Sequence, residues 1–270
     1  MTGRTGILKN SPLTYVLASV RFAPWPLMAK KIDEIHDELR DIVPLINRIQ
    51  IQRIGVDGQA PQDNEIAPAA WMLMPSDHSF GIQFSPDQIL YITKKYTSYT
   101  QFQDILDRIF DVLIAHMRFV DVTNMGVRYI DHIKAQEKES IGDYIDSSLL
   151  TTNIVGFKKQ GGAITGTYLV DGDQLRIRSI CHPGMLSITE DLIPLLAMTN
   201  EQNKPFQVEI LKDNELLLDI DSVKNFEGAK RLDKNEMLGQ LKVLHQKANK
   251  FFRHESVCTD HAFKVWKGDT

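Results

Sequence analysis

The sequence predicts an α+β protein with two lobes of mostly antiparallel sheet, each packed against long amphipathic helices. Three observations lead to this prediction. Strand-like segments occur in runs and do not alternate with helices one by one, which is typical of the α+β class. Three segments repeat apolar residues every three or four positions, as amphipathic helices do. Hydrophobic residues make up 43% of the chain and charged residues 24%, as in ordinary folded domains.

The chain is predicted to begin with a strand and a helix. Residues 13–22 carry apolar side chains on both alternating faces, as a strand buried on both sides does. Pro24 and Pro26 favour a helix start, and Pro44 should end that helix one residue earlier. The apolar stripe of this helix is Met28, Ile32, Ile35, Leu39 and Ile42.

Four shorter strand-like segments and a second helix follow. The helix is predicted at residues 99–119, with Thr97, Ser98 or Thr100 as its capping residue. A turn is predicted at residues 85–88, where serine, proline and aspartate come together. The strand-like segments are residues 49–56, 70–75, 80–84 and 89–94.

Residues 126–133 form the most informative predicted strand, because polar groups stand among apolar ones. Side chains alternate between the two faces of a strand. Asp131 therefore shares one face with Tyr129, whereas Arg128 and His132 lie on the other. Burying a carboxylate or a cation is costly unless the group has a partner. We therefore expect this strand to hold paired charges or to border a functional surface.

The second half is predicted to contain two hairpins and a third long helix. Asp171-Gly172-Asp173 is a strong turn signal for the first hairpin. The helix is predicted at residues 234–254, capped by Asp233, and residues 261–270 are expected to be irregular. The hairpins would join residues 163–170 with 174–181, and residues 206–211 with 215–220.

A polar connection is expected to divide the chain into its two lobes. Residues 136–162 are mostly polar and end in a glycine-bearing stretch, which indicates a boundary. The lobes are then residues 12–135 and residues 163–270, preceded by a flexible N-terminus at residues 1–11. Each lobe ends a set of strands with one long helix, which suggests an internal duplication, although the halves share no residue pattern.

Composition and charge limit the class of protein. No stretch approaches the ~20 apolar residues that cross a bilayer, and the N-terminus lacks the apolar core of an export signal. We therefore expect a soluble cytoplasmic protein without membrane contact. The net charge of −4 gives no general attraction for nucleic acid. Two cysteines, Cys181 and Cys258, cannot form a disulfide framework and suit a reducing compartment.

Four segments, taken in order, are similar to a known family. They are Pro12 to Val16 with Arg21 and Phe22, Tyr96 to Tyr99 with Phe102, residues 126–133, and a C-terminal block with Leu218 to Asp221, Leu244, His245, Phe252, Thr259 and Asp260. In order and spacing they resemble a sporadically distributed, uncharacterised bacterial family of roughly this length. The resemblance covers nearly the whole chain, which implies that no catalytic domain is appended. Its patchy distribution suggests an association with mobile or defence genes.

The chain departs from that family at two positions. The family more often has asparagine where Asp131 stands. The family usually continues as a helix after Thr259 and Asp260, whereas residues 261–270 are predicted here to be irregular.

Four basic side chains are the candidate binding residues. Arg128 is expected to recognise an anionic group with its planar fork, with His132 in the same polar cluster. Arg176 and Arg178 share one face of a predicted strand and suit an acidic partner or a phosphate backbone. The plainer interpretations are an ion pair for Arg128, for example with Asp107, and a solvated face for the other two arginines.

A second set of residues supports a catalytic alternative. Asp219 and Asp221 lie two positions apart, so that both carboxylates point to one side of a strand. Together with His245 or His132 they would suit acid–base hydrolysis, or with a divalent cation a nuclease, provided that the groups converge in one cleft. No metal site or cofactor is predicted, since the chain lacks a Cys-x2-Cys pair, a Walker loop and a dinucleotide fingerprint.

The sequence favours an interaction or ligand-sensing module over an enzyme. We expect a subunit of a larger bacterial, defence-associated system that binds a protein partner or a second copy of itself. The alternatives are the hydrolase or nuclease, and a nucleic-acid-binding protein that uses Arg176 and Arg178 with Lys158 and Lys159. On the favoured interpretation, Arg128→Ala or Arg176→Glu should abolish complex formation and leave the protein folded.

Overall fold

In a computed structural model that describes residues 4–49, 70–201 and 204–268, the chain folds around one β-sheet with helices on both sides. The strands are β1 (Leu13–Phe22), β2 (Leu45–Ile49), β3 (Ala70–Met74), β4 (Phe80–Ser85), β5 (Gln88–Thr93), β6 (Val120–Lys134), β7 (Gly162–Val170), β8 (Asp173–Cys181) and β9 (Glu215–Leu232). The helices are α1 (Met28–Leu39), α2 (Tyr99–Met117), α3 (Ile193–Met198), α4 (Lys234–Phe252) and α5 (Asp260–Lys267). Among these residues, no helix combines the length and the apolar character that crossing a bilayer requires.

The strands form a single antiparallel sheet of nine strands, in the order β2-β3-β4-β5-β1-β6-β9-β8-β7. Its centre is the pairing of β6 with β9, which runs from Val120 opposite Leu232 to Lys134 opposite Glu215. The α+β class is confirmed, but the prediction of two lobes is wrong, because strands from both halves of the chain share this sheet. Periodicity identifies strands but does not tell which strands pair, so the continuity left no signal in the sequence.

Local signals placed most of the elements correctly. Ser98 caps α2 by accepting a hydrogen bond from the Gln101 amide. Asp233 caps α4 in a reciprocal capping box with Glu236. The first predicted hairpin is β7 with β8. The strands predicted at residues 70–75, 80–84 and 89–94 correspond to β3, β4 and β5.

The second predicted hairpin is wrong. Residues 206–211 form no strand beyond a single bridge between Leu186 and Ile210. Residues 215–220 instead begin the long strand β9, whose neighbours are β6 and β8. Residues 206–211 alternate apolar and polar side chains as a strand would, but several of their apolar groups pack onto the sheet from outside.

The predicted irregular ending is also wrong. Thr259 caps α5 by accepting a hydrogen bond from the Ala262 amide, 3.1 Å away. The buried side chains of Phe263 and Trp266 then fasten α5 to the protein. The predicted strand at residues 49–56 lies outside the described residues, apart from position 49, where β2 ends.

The two faces of the sheet are covered to different extents. The face that carries Tyr129 and Asp131 packs against α1, α2, α4 and α5, and we call it the helix-covered face. Within the described residues, the face that carries Arg128 and His132 is covered only in part, and we call it the open face. Residues 186–201, which include α3, and residues 204–211 cover it. The apolar contact that holds this covering segment joins Ile188, Leu192, Leu195, Leu196 and Leu211 to Leu17, Met72, Met74, Ile92, Ile130 and Leu217.

The covering segment approaches the sheet most closely at Gly81. A Cβ atom at this position would lie 2.7 Å from the Met72 sulfur and 2.7 Å from the Thr199 methyl group. Thr199 is fully buried directly after α3, and its hydroxyl donates to the Leu196 carbonyl. A glycine at position 81 therefore allows the end of α3 to lie directly on the strands.

Candidate functional site

Arg128 lies at the centre of a charged network on the open face. Its Nε and Nη2 donate to the two carboxylate oxygens of Asp219 at 2.8 and 3.0 Å, and its Nη1 donates to Asp191 at 2.6 Å. Nη2 also donates to the Thr189 hydroxyl at 2.7 Å. Burial opposes the charge, but the hydrogen bonds to Asp191 and Asp219 outweigh it and raise the pKa of Arg128. The predicted fork for an anionic group is occupied by the protein's own carboxylates.

Arg178 belongs to the same network, whereas Arg176 does not. The Nε of Arg178 donates to Asp219 at 2.8 Å, and its Nη2 donates to Asp191 at 3.3 Å. Arg176 is exposed, and its hydrogen bond goes to the neighbouring Gln174 side chain at 2.9 Å. Within the described residues, no carboxylate lies at ion-pair distance from Arg176. Of the four predicted binding residues, Arg176 is thus the one whose charge stays unpaired.

His132 contributes to a separate network at the end of β6. Its Nε2 is 2.9 Å from a carboxylate oxygen of Glu215, and its Nδ1 is 3.5 Å from Glu209. Burial opposes the charge of Glu215, but hydrogen bonds from the Lys212 amide and from His132 lower the pKa of that carboxyl. The structure does not join His132 to the arginines of the predicted cluster.

The three groups of the catalytic alternative do not converge. Asp219 and Asp221 both lie on the open face, opposite Arg178 and Arg176 in register. His245 belongs to α4 on the other side of the sheet, where its Nδ1 is 2.5 Å from the Tyr129 hydroxyl. Burial raises the pKa of Asp221 to about 6. Because the sheet separates the carboxylates from His245, they cannot act on one substrate atom together.

A groove of about 700 Å³ runs over the uncovered part of the open face, beside α3. Gly126 and Ser19 contribute its floor, and the exposed Arg21 and Arg176 lie on two of its strands. The covering segment contributes Asp191 and four apolar residues to the wall, namely Leu192, Pro194, Leu195 and Met198, and β9 contributes Asp221. Amide side chains also line the groove, namely Gln83, Gln88, Asn124 and Asn225. The groove thus combines guanidinium and amide donors, two carboxyl groups and apolar surface.

A second cavity, which sequence reasoning missed, lies on the helix-covered face. It has a volume of about 300 Å³ and is bounded by the loop before α2, by β6 and by the last turns of α4. Tyr96, Tyr99, Tyr129, Asp131 and His245 contribute polar atoms to its lining. Residues 4–11 cross its mouth; we call them the strap and the cavity the strapped pocket.

Two ionisable groups of the strapped pocket, His245 and Asp131, favour their neutral forms at pH 7. Burial lowers the pKa of His245 to about 4, and the nearby Arg253 charge adds to this effect. Burial also raises the pKa of the Asp131 carboxyl to about 8, with a contribution from Asp219. The His245 ring stacks on Tyr99 with centroids 4.1 Å apart. The pocket therefore combines a neutral imidazole, a protonated carboxyl and phenol hydroxyls.

Two arginines hold the strap. Arg253 donates from Nη2 to the Gly6 carbonyl at 3.1 Å, from Nη1 to the Arg4 carbonyl, and from Nε to Asn249 at 2.9 Å. Arg4 donates to the Cys258 carbonyl at 2.5 Å and forms an ion pair with Asp260 at 2.8 Å. These contacts use the Arg253 charge at the rim and leave the interior uncharged.

The sequence contained part of the signal for this pocket. Tyr96 and Tyr99 lie beside the predicted start of the second helix, and alternation placed Tyr129 on the same strand face as Asp131. The sequence carried no indication of the strap, because the strap is held by contacts between distant residues: Arg4 and the Cys258 carbonyl are 254 positions apart.

The fold and these two sites define an α+β protein with one nine-stranded antiparallel sheet, a polar groove on one face and a neutral pocket on the other. No protein-family model and no curated protein sequence matches the chain.

Proposed function

We propose that this chain is an interaction module without catalytic activity, and that an extended acidic segment of a partner protein binds in the groove of the open face. On this proposal the chain serves as a subunit of a larger bacterial system, in line with the family resemblance. The observation that carries the proposal is the pair of exposed arginines, Arg21 and Arg176, that line the groove without a carboxylate partner among the described residues.

The charge balance of the groove favours an acidic occupant. Arg128 and Arg178 are matched by Asp219 and Asp191, so they add little net charge. Arg21 and Arg176 remain against the single carboxyl of Asp221, which lies opposite Arg176 in register but forms no ion pair with it. The groove therefore keeps a net positive charge on a chain whose net charge is −4. An exposed guanidinium that is not already paired can form a two-pronged hydrogen bond with an incoming carboxylate.

The spacing of the two arginines suits an extended chain. They lie on β1 and β8, which are three strand spacings apart, and Arg21 is four positions along β1 from Leu17, the residue level with Arg128. The separation is therefore roughly 20 Å, a distance that about six extended residues span. The amide groups between them can bond peptide carbonyls and amides, while the α3 wall accepts apolar side chains.

The alternatives have weaker support. Among the groove's lining residues, no aromatic ring offers a stacking surface for the bases of a nucleic acid. Lys159, one of the lysines considered for this role, donates to the Thr151 carbonyl. The hydrolase alternative with His245 fails because the sheet separates His245 from Asp219 and Asp221. His132, the other histidine considered, lies on the open face, but its Nε2 is bonded to Glu215 at the end of β6.

The test is affinity capture from a lysate of the native host with the full chain as bait. We expect a partner that wild type retains and that Arg21→Glu and Arg176→Glu each lose by at least about tenfold. Lys242→Glu is the matched control, because it reverses an exposed charge on α4, on the other side of the protein. Nuclease treatment should leave capture unchanged.

Arg128→Ala is unsuitable for this test. The sequence led us to expect a folded variant. In the structure, however, Arg128 pairs with the buried Asp219, so its removal destabilises the protein. A loss of binding could then not be distinguished from unfolding. Equal capture by wild type and Arg176→Glu would contradict the proposal, and so would capture that disappears after nuclease treatment. Light scattering of the purified chain separates a second copy from a different partner.

A further inference from the structure

The strapped pocket contains buried polar groups that lack partners. The Tyr99 hydroxyl is buried and has no hydrogen-bond partner among the described residues. The side chain of Asp131 is 3% exposed, and no donor within the described part of the chain reaches its carboxyl group. Leaving such a group unsatisfied costs about 1–3 kcal/mol, so both are atoms that an occupant would satisfy.

The walls of the pocket are flat and aromatic. Tyr99 and His245 are parallel to within 12°, and Tyr96 meets Tyr129 edge to face at 88°. Phe252 and Ile220 add apolar surface, and Asp131 projects from β6 between these walls. Rings of this kind favour a planar occupant, because faces can stack and edges can meet faces.

The geometry points to a binding site for a small, uncharged, planar nitrogen heterocycle whose edge presents a hydrogen-bond donor beside an acceptor. A carboxylic acid group presents an O–H donor and a C=O acceptor in one plane, and a lactam or amidine edge pairs with both at once. The Tyr99 hydroxyl supplies a third contact. A cavity of about 300 Å³ is at the lower end of the usual range of ligand pockets, which suits one or two fused rings.

The charges around the pocket exclude other ligand classes. Arg253 keeps its charge, but its Nε, Nη1 and Nη2 donate to Asn249 and to the strap carbonyls. The described residues that line the pocket therefore include no uncommitted cation for a phosphate or a carboxylate. Asp131, as a neutral acid at pH 7, offers little to a cation. The remaining alternative is a pocket that holds only solvent, and binding measurements distinguish this case from a ligand site.

The experiment uses the full chain and four probes that are neutral at pH 7: adenine, hypoxanthine, 2-pyridone and 2-aminopyrimidine. Saturation-transfer NMR should show at least one probe bound, with a dissociation constant below about 1 mM by calorimetry. N-methyl-2-pyridone, whose donor is blocked, should bind at least about tenfold more weakly than 2-pyridone. Absence of binding for all four probes, or equal binding of the methylated probe, would overturn the inference.

Substitutions in the strapped pocket test whether the probe binds there. Asp131→Ala should weaken the best probe by at least about tenfold, and Tyr99→Phe should weaken it severalfold. Tyr15→Phe is the matched control, because Tyr15 does not line the strapped pocket. Unfolding curves establish that each variant is folded. Unchanged binding in both Asp131→Ala and Tyr99→Phe would place the probe elsewhere and refute the site.

The pH dependence of probe affinity tests the role of the Asp131 carboxyl separately from any change in packing. Between pH 7 and 9 the wild-type affinity should fall by about tenfold as the Asp131 carboxyl ionises. Asp131→Asn keeps a donor and an acceptor in one plane at every pH, so its affinity should stay level. The other ionisable groups around Asp131 are common to both proteins: Tyr96, Tyr99, Tyr129, His245, Arg253, Cys258 and Asp219. A parallel fall in wild type and Asp131→Asn would exclude Asp131 as the contact.

This site is independent of the proposed partner groove. The pocket variants lie on the helix-covered face and the groove variants on the open face, so each proposal can fail alone.

Discussion

Arg128 and Asp219 are joined by two nearly parallel hydrogen bonds, from Nε to Oδ1 at 2.8 Å and from Nη2 to Oδ2 at 3.0 Å. The pair connects the two central strands, β6 and β9, and Asp219 is 2% exposed. Because Arg128 also bonds Asp191 and Thr189, it fastens the turn before α3 to the sheet. This arginine therefore holds the covering segment in place beside the groove.

Removal of Arg128 should destabilise the protein strongly. Arg128→Ala leaves Asp219 buried with Arg178 as its remaining cation, and breaking a buried pair in this way costs about 3–5 kcal/mol. The matched control is Arg48→Ala, which removes an exposed pair with Asp33 and should cost less than about 1 kcal/mol. Urea unfolding measures both values. Similar losses in the two variants would show that the Arg128 pair has no special structural role.

Asp131 should make the protein less stable as the pH rises. Its folded-state pKa of about 8 exceeds the ordinary value of about 3.9, so the folded state keeps a proton that the unfolded chain has lost. The contribution of the Asp131 carboxyl to the free energy of unfolding is greatest below about pH 4. It decreases as the pH rises to about 8, by at most about 1.4 kcal/mol per pH unit. The stability advantage of Asp131→Asn should grow over this range and then level off. Urea unfolding at pH 5, 6, 7 and 8 tests this, and a constant difference would contradict it.

Gly81→Ala should loosen the covering segment. The added methyl group would meet Met72 and Thr199, and such overpacking costs about 1–3 kcal/mol. Gly239→Ala in α4 is the matched control, since no atom lies within 4 Å of the new methyl group and alanine favours helix. We expect Gly239→Ala to be neutral or stabilising by up to about 1 kcal/mol. Thermal unfolding compares the pair, and a neutral Gly81→Ala would mean that the segment shifts freely.

Arg4→Ala should release the strap. The variant loses the ion pair with Asp260 and the hydrogen bonds to the carbonyls of residues 253, 254 and 258. Net hydrogen-bond contributions of about 1 kcal/mol predict exchange at least about tenfold faster for the strap amides, including that of Asn10, which donates to Trp266. Lys9→Ala removes an exposed cation from the same segment and should leave exchange unchanged. Mass spectrometry of the N-terminal peptide provides the measurement.

Sequence reasoning succeeded where the signal is local. Ser98 and Asp233 cap helices with groups three positions away, so their types and spacing could be read directly. For the Arg128 network, alternation identified the strand that carries Arg128. No sequence pattern connected Asp191 to this strand. Arg128 and Asp191 are 63 positions apart, so only the folded sheet brings them together.

The missed elements have physical reasons as well. Helix α5 has eight residues, too few for periodicity to distinguish it from an irregular ending, although Thr259 supplied a capping signal. The sequence places Tyr99 at a helix start, and nothing in its local pattern indicates a pocket. Its role in the strapped pocket depends on His245, which stacks on it from a distant helix.

The order of strands has a consequence for folding kinetics. β7 with β8 and β4 with β5 are hairpins that can close quickly, because few residues separate their strands. The central pairing must instead bring together residues such as Arg128 and Asp219, which are 91 positions apart. Closing so long a loop is entropically unfavourable until the surrounding contacts form, which slows folding. The hairpin of β7 with β8, at one edge, and the hairpin of β4 with β5 should therefore form before the pairing of β6 with β9, and this central pairing should set the rate at which the native state appears.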